Sequence, residues 1–267
     1  ARDRVLGMFV SAGLINERRA AEGREVAIPA RSPFPYSAPH AAYALVRAHP
    51  GEGVIQSSLD ATLQRDLEAL ARRHVAGLER DAQIAILAVR LDDRTVRARI
   101  GGAGTDRAGG YIDMTRAIRS PGSALKPFLY AIAFDEGIAA PETLVRDAPR
   151  RFGGYLPENF DRRFHGDVTL EDALRHSLNL PAVATLERIG ANRFHAALRR
   201  AGADVRLPRR AIAEPGLALA LGGVGMTLED LVQLYAALGD GGQARPLVVD
   251  AEPGLAFSRR FVREDTA

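Results

Sequence analysis

The chain of 267 residues contains no cysteine, which excludes disulfides, thiolate metal sites and a cysteine nucleophile. It contains one lysine, Lys126, and every other basic side chain is an arginine. There is no run of about 18 apolar residues able to span a bilayer, and no signal-peptide pattern. Charge of one sign is lacking too: 36 basic residues face 33 acidic ones, for a net charge of +3. The arginines are scattered among acids with no basic block interleaved with aromatics, so no nucleic-acid partner is expected. His40, His49, His74, His165, His176 and His195 form no pair at metal-ligand spacing, so no metal is expected. Gly101, Gly102, Gly104, Gly109 and Gly110 match neither a P-loop nor a dinucleotide fingerprint and read as a flexible loop. What the chain does have is 46% hydrophobic residues, enough for a sizeable core in one large domain with an appendage.

The lone lysine carries chemical information. Arginine stays charged at any accessible pH, whereas a buried lysine can titrate low enough to act as a base. Lys126 lies three residues after Ser123. Pro121-Gly122 breaks the preceding segment, and Leu125, Phe128, Leu129 and Ile132 then recur at i, i+3, i+4 and i+7, which predicts a helix. Pro127 falls in its first turn, where proline is tolerated, and Gly137 ends it. No charged residue occurs from Phe128 to Phe134, so this helix should run through the interior. Ser123 and Lys126 become neighbours on one face of the first turn, with Cβ atoms about 5–6 Å apart. The positive end of the helix dipole disfavours an ammonium there and favours an oxyanion, by about 0.3–1 kcal/mol at exposed sites. Serine before an apolar run is commonly only an N-cap, but its pairing with a titratable lysine points to serine acyl transfer with lysine as base. A Ser-His-Asp triad is not supported, because Ser123 lacks the Gly-x-Ser-x-Gly elbow.

Along the rest of the chain, residues 1–27 read as two short helical pieces broken at Gly7, Gly13 and Gly23. Pro29, Pro33, Pro35 and Pro39 predict an extended connector. Ser57 or Ser58 is expected to cap a helix with a stripe of Leu59, Leu63, Leu67, Leu70 and Leu78, ending near Arg80. Alternation over Gln83–Arg90 and Val96–Ile100, around Asp92-Asp93, predicts an antiparallel hairpin. The stretch from Pro141 to Gly166 reads as mostly loop, and Thr169 with Asp172 opens a helix with apolar face Leu170, Leu174 and Leu178. Pro181 begins the next helix, which leaves Ser177 and Asn179 at a helix junction, where polar side chains can be aimed into a cleft. Further helices are expected over about 192–200 and, capped by Thr227 with Asp230, about 228–238.

Three motifs carry a family resemblance. Ser120-Pro121-Gly122-Ser123-Ala124-Leu125-Lys126-Pro127-Phe128, then Tyr155-x-Pro157-x-Asn159-Phe160, then Ser177-Leu178-Asn179-Leu180-Pro181-Ala182-Val183 together resemble the transpeptidase domain of bifunctional, class A penicillin-binding proteins. Leu59-Asp60-x-x-Leu63-Gln64 resembles the family's linker, and Leu221-Gly222-Gly223 through Thr227 to Gly241-Gly242 its later helical region. The family's third motif, Lys-Thr-Gly or Lys-Ser-Gly, is absent; residues 258–267 resemble the approach to it.

The resemblance implies an α+β fold of the penicillin-binding-protein and serine β-lactamase type, with helices packed on an antiparallel sheet that is incomplete here and leaves the 83–100 strand pair without neighbours. It implies residues 1–27 as the tail of a glycosyltransferase domain, 28–80 as a linker region and 81–267 as a transpeptidase domain lacking its last strands. By the same resemblance, Ser123 is the nucleophile and Lys126 the acylation base, while Ser177 and Asn179 relay protons and hold the substrate amide. The Ser123 amide would join the oxyanion hole. The implied activity is peptidoglycan D,D-transpeptidation, with stem peptides and β-lactams as partners, no cofactor, and a place on the periplasmic face of the bacterial inner membrane, reached through an N-terminal anchor outside these residues. A β-lactamase or penicillin sensor would share both Ser-x-x-Lys and Ser-x-Asn, and the absent third motif alone would suit a non-catalytic cell-wall-binding scaffold.

Overall fold

A computed structural model describes residues 2–26, 36–79, 81–208, 216–250 and 258–267. Two compact units divide the chain, residues 1–36 and 37–267. The first holds α1 (Arg2–Ser11) and α2 (Glu17–Glu25), the latter capped by the Asn16 side chain, which accepts from the Arg19 amide. The expected breaks at Gly7 and Gly23 do not occur, since both glycines lie inside helices; Gly13, at φ 68°, does separate them. A mid-helix glycine lowers helix stability by only about 1 kcal/mol, too little to end a helix by itself.

In the second unit, Pro39 opens α3 (Pro39–Ala48) and does not belong to an extended connector, because a proline at the first helical position gives up an amide that would be unpaired anyway. Pro29, Pro33 and Pro35 lie outside the described residues. The next helix, α4 (Ala61–Val75), is capped by Asp60, whose Oδ1 accepts from the Thr62 and Leu63 amides, and not by Ser57 or Ser58. Ser58 is buried, and its hydroxyl lies within hydrogen-bond reach of the main-chain oxygens of Val96, Val248 and Val249. The buried face of α4 carries Gln64, Ala71 and Val75, with Leu67 half-buried beside them, whereas Leu63, Leu70 and Leu78 are exposed. Small and flat side chains suit a helix lying on a sheet: α4 packs on the hairpin of β1 (Ile86–Val89) and β2 (Val96–Ile100), which pair antiparallel with Ile86 opposite Ile100. Arg80, where the helix was expected to end, is not described.

As expected, no further strand joins this pair among the described residues, but the outer edge of β2 is covered by other groups. The Gln64 carboxamide accepts from the Arg99 amide at 2.8 Å and donates to its carbonyl at 3.1 Å, imitating a ladder residue. The Asp60 amide donates to Arg97 and the Val96 amide to Val248. Among the described residues no strand pairs with the other edge of β1. The glycine loop that follows is folded on itself: His40 Nε2 meets the Gly110 carbonyl at 2.9 Å, Gln83 donates to Ala108, and a Cβ on Gly110 would overlap the Gly104 carbonyl.

The main core surrounds α5 (Lys126–Asp135), in which every residue from Phe128 to Ala133 is buried. Against it lie α6 (Leu170–Arg175), α7 (Asn179–Ile189), α8 (Ala191–Arg200), a 3₁₀ turn at Leu217–Leu221 and α9 (Leu228–Gly239). Thr227 and Asp230 form the expected reciprocal capping box at α9, and Thr169 caps α6 by accepting from the Asp172 amide. The 141–166 segment is not all loop. It contains β3 (Leu144–Asp147), which pairs antiparallel with β4 (Gly166–Thr169). Four-residue strands with a mixed exposure pattern leave too little alternation to read from sequence. The last pair, β5 (Gln243–Ala244) and β6 (Arg259–Arg260), is shorter still.

Candidate active site

Ser123 sits in a 3₁₀ turn, Gly122–Leu125, that runs directly into α5, so the expected helix begins with one tighter turn. Pro121 and Gly122, the latter at φ 57°, turn the chain into it. The turn is pinned from behind: Arg119 and Met226 exchange main-chain hydrogen bonds of 2.9 Å, and Ser120 Oγ donates to Gly222 at 2.6 Å. A Cβ on Gly222, itself at φ 76°, would overlap the backbone of Gly122, so glycine is required where the two turns meet. Ser123 is exposed, and among the described residues its hydroxyl has no hydrogen-bond partner.

Lys126, one turn on, is fully buried. Burial alone lowers its pKa to about 8, with no charged group contributing. Its Nζ lies 2.6 Å from the Ser177 carbonyl, 2.7 Å from Asn179 Oδ1 and 3.2 Å from Ser177 Oγ. An ammonium can donate to all three. A neutral amine donates to the two nearest acceptors and turns its lone pair toward a hydroxyl, so this set of uncharged partners accommodates both protonation states.

Ser177 reaches Lys126 because the chain turns sharply after α6. Its φ is +54°, the left-handed region usual for glycine after a helix, and the Ser177 and Leu178 amides donate back to Leu174 and Ala173. A non-glycine residue held there costs on the order of 1 kcal/mol or more, and such strain gathers at functional sites. Asn179 is the first residue of α7. Its side chain is tied at both ends, Oδ1 to Lys126 and Nδ2 to the Glu158 carbonyl at 2.6 Å, and its amide donates to Asn159 Oδ1 at 2.8 Å. Pro181 therefore lies within the first turn of α7 and does not open it.

Ser123, Ser177 and Asn179 share the wall of a cavity of about 490 Å³ with Asn159, Phe160, Asp161, His165, His176 and Leu178. The four residues singled out from sequence are thus brought together, with Lys126 hydrogen-bonded to two of the lining residues, Ser177 and Asn179. Asp147, which holds Asn159, and His165, which meets Asp147, carried no signal in the sequence: an acidic residue among arginines and a histidine in a loop look like solvated surface. Among the described residues no cluster of three or more potential ligands could hold a metal, and no helix is long and apolar enough to cross a membrane.

Comparison with known proteins gives the family and the fold. Residues 105–252 match the family model described as penicillin binding protein transpeptidase domain. Penicillin-binding protein 1C of Escherichia coli (strain K12) is 40% identical over 96% of this chain and 33% of its own length. Penicillin-binding protein 1F of Bacillus subtilis (strain 168) is 32% identical over 84% of this chain and 32% of its own. The chain spans about a third of the length of these curated relatives. Among solved structures, the penicillin-binding protein PonA1 from Mycobacterium tuberculosis superposes with a TM-score of 0.70 at 18% identity, over 85% of this chain and 65% of that one. The same protein in complex with penicillin V gives 0.69 at 20% identity, over 80% and 60%. At these identities the superpositions establish the fold.

Proposed function

The chain belongs to the penicillin-binding protein transpeptidase family, and on that premise we propose that it carries the acyl-transfer centre of a peptidoglycan D,D-transpeptidase that β-lactams inhibit covalently. The observation that carries this reading is Lys126, the sole lysine, buried with no counter-ion among the described residues and held by Ser177 and Asn179, which line the cavity that exposes Ser123.

In this reading the neutral Lys126 amine takes the Ser123 proton as Oγ attacks the carbonyl of the penultimate D-alanine of a stem peptide. Helix-terminal amides, the Ser123 amide among them, stabilise the oxyanion. Collapse of the tetrahedral adduct breaks the peptide bond. The proton on Lys126 passes through the Ser177 hydroxyl to the departing amine of the terminal D-alanine, and the acyl-enzyme ester remains. An amine from a second stem peptide then attacks that ester, its proton returns along the same path, and Ser123 leaves. The bound penicillin V in the PonA1 complex supports β-lactam recognition by the same fold. Residues 1–27 are read as the tail of a glycosyltransferase domain, 28–80 as a linker region and 81–267 as the transpeptidase domain. The protein then works at the periplasmic face of the inner membrane.

The test is release of D-alanine from a D-Ala-D-Ala stem pentapeptide by the protein expressed from its complete gene. Release is expected from the wild type and absent in Ser123→Ala; equal release by both would refute the assignment.

A further inference from the structure

We propose that His165, held by the buried carboxylate of Asp147, is a catalytic base that takes a proton from the incoming amine in the second half of the transfer. The inference rests on the acyl-transfer reading of Ser123 and Lys126.

The proton count calls for such a group. A primary amine arrives at neutral pH as an ammonium with three protons, and the amide it becomes keeps one. One of the two lost protons returns through Ser177 to Ser123 Oγ as the serine leaves. The other needs a separate acceptor on the cavity wall.

His165 lines the cavity that exposes Ser123. Asp147, at the end of β3, is fully buried, and its other partners are donors: Asn159 Nδ2 at 3.0 and 2.8 Å and the His165 amide at 2.9 Å. A carboxylate only accepts, so the His165 ring Nδ1, 2.9 Å from Asp147 Oδ2, carries a hydrogen and donates it. In the neutral ring the lone pair then belongs to Nε2, which has no hydrogen-bond partner among the described residues. The side chain is 41% exposed, so the ring is held on one side by the acid and open on the other. A carboxylate placed in this way fixes the tautomer and faces the charge of the imidazolium that forms. The other titratable groups on this wall are less suited. The His176 ring meets the Asp172 carbonyl and, among the described residues, no carboxylate, and Asp161 is too weak a base for an ammonium.

In the step itself, Nε2 accepts one ammonium proton and the freed nitrogen lone pair attacks the ester carbon. The bond from that carbon to Ser123 Oγ breaks as the adduct collapses, the second proton passes to Oγ, and His165 gives its own to water.

The experiment uses the protein expressed from its complete gene, a D-Ala-D-Ala stem pentapeptide as acyl donor, and two acceptors in parallel. One is a stem peptide with a free side-chain amine; the other is hydroxylamine, which is uncharged at neutral pH and has no such proton to lose. In His165→Gln the ratio of amine transfer to hydroxylamine transfer is expected to fall about 10²-fold, the lower end of what a general base contributes. The loss should shrink as pH rises, because the acceptor amine then arrives already neutral. Asp147, Asp161, His176 and Lys126 are unchanged in this variant and act alike on both acceptors. An unchanged ratio overturns the proposal whatever the separate rates, since damage to the fold slows both acceptors together.

Should His165→Gln fail to fold, His165→Ala carries the test, with acylation by penicillin as the check that it is folded. Amine transfer that is reduced and then restored by free imidazole supports the proposal; amine transfer at the wild-type rate without imidazole overturns it. A wild type that releases no D-alanine would instead refute the acyl-transfer reading, and this inference with it.

Discussion

Lys126 shows how a single residue type can report chemistry. A guanidinium would keep the charge at this position but could not lose its proton, and burial without a counter-ion is what brings an amine toward neutrality. With the pKa lowered to about 8, the base form grows as pH rises through that value, so the acylation rate should climb through pH 8 and level off above it. The Lys126→Arg variant should lose about 10²–10⁴-fold in acylation rate, the usual worth of a general base. Stopped-flow acylation with a chromogenic β-lactam checks both; an arginine variant at the wild-type rate would reduce Lys126 to charge and packing. Helical spacing alone places Ser123 and Lys126, three apart, on one face, which is why the sequence could propose them as a pair. Asp147 was not, since a buried carboxylate is recognised by what surrounds it, and its partners Asn159 and His165 lie 12 and 18 positions away.

Among the elements, those set by local rules matched their sequence signals: the buried α5 with its uncharged run, the capping box at α9, the β1–β2 hairpin. Those set by tertiary partners did not. The buried face of α4 follows the sheet it covers and not its leucine stripe, and β3 and β4 exist because each completes the other. The same dependence makes the turn carrying Ser123 sensitive to the 3₁₀ turn behind it. Gly222→Ala would force a left-handed φ on alanine and drive its Cβ into Gly122. The strain costs about 1–3 kcal/mol and the overlap a similar amount. A melting temperature lower by about 4 °C or more is expected, at roughly 2–4 °C per kcal/mol for a domain of this size. Acylation should slow in the fraction that stays folded, as Ser123 shifts with its turn. Calorimetry with parallel acylation rates checks this, and a variant as stable and as fast as wild type would show that the two turns can separate at no cost.

For the whole molecule, the unit of residues 37–267 has its own two cores, one around α5 and α7 and one between α4 and the hairpin, and the candidate site lies where α5, α6 and α7 converge. The family and the α+β architecture could be read from three short motifs because those motifs are the points at which that convergence is chemically constrained. Everything proposed for the protein depends on one bond, the ester between Ser123 Oγ and an acyl donor. Intact-mass spectrometry of the protein from its complete gene after exposure to penicillin, followed by peptide mapping, tests for it directly. The account predicts a single adduct of the mass of the drug on the peptide containing Ser123, absent in Ser123→Ala; no adduct, or one on another residue, would contradict it.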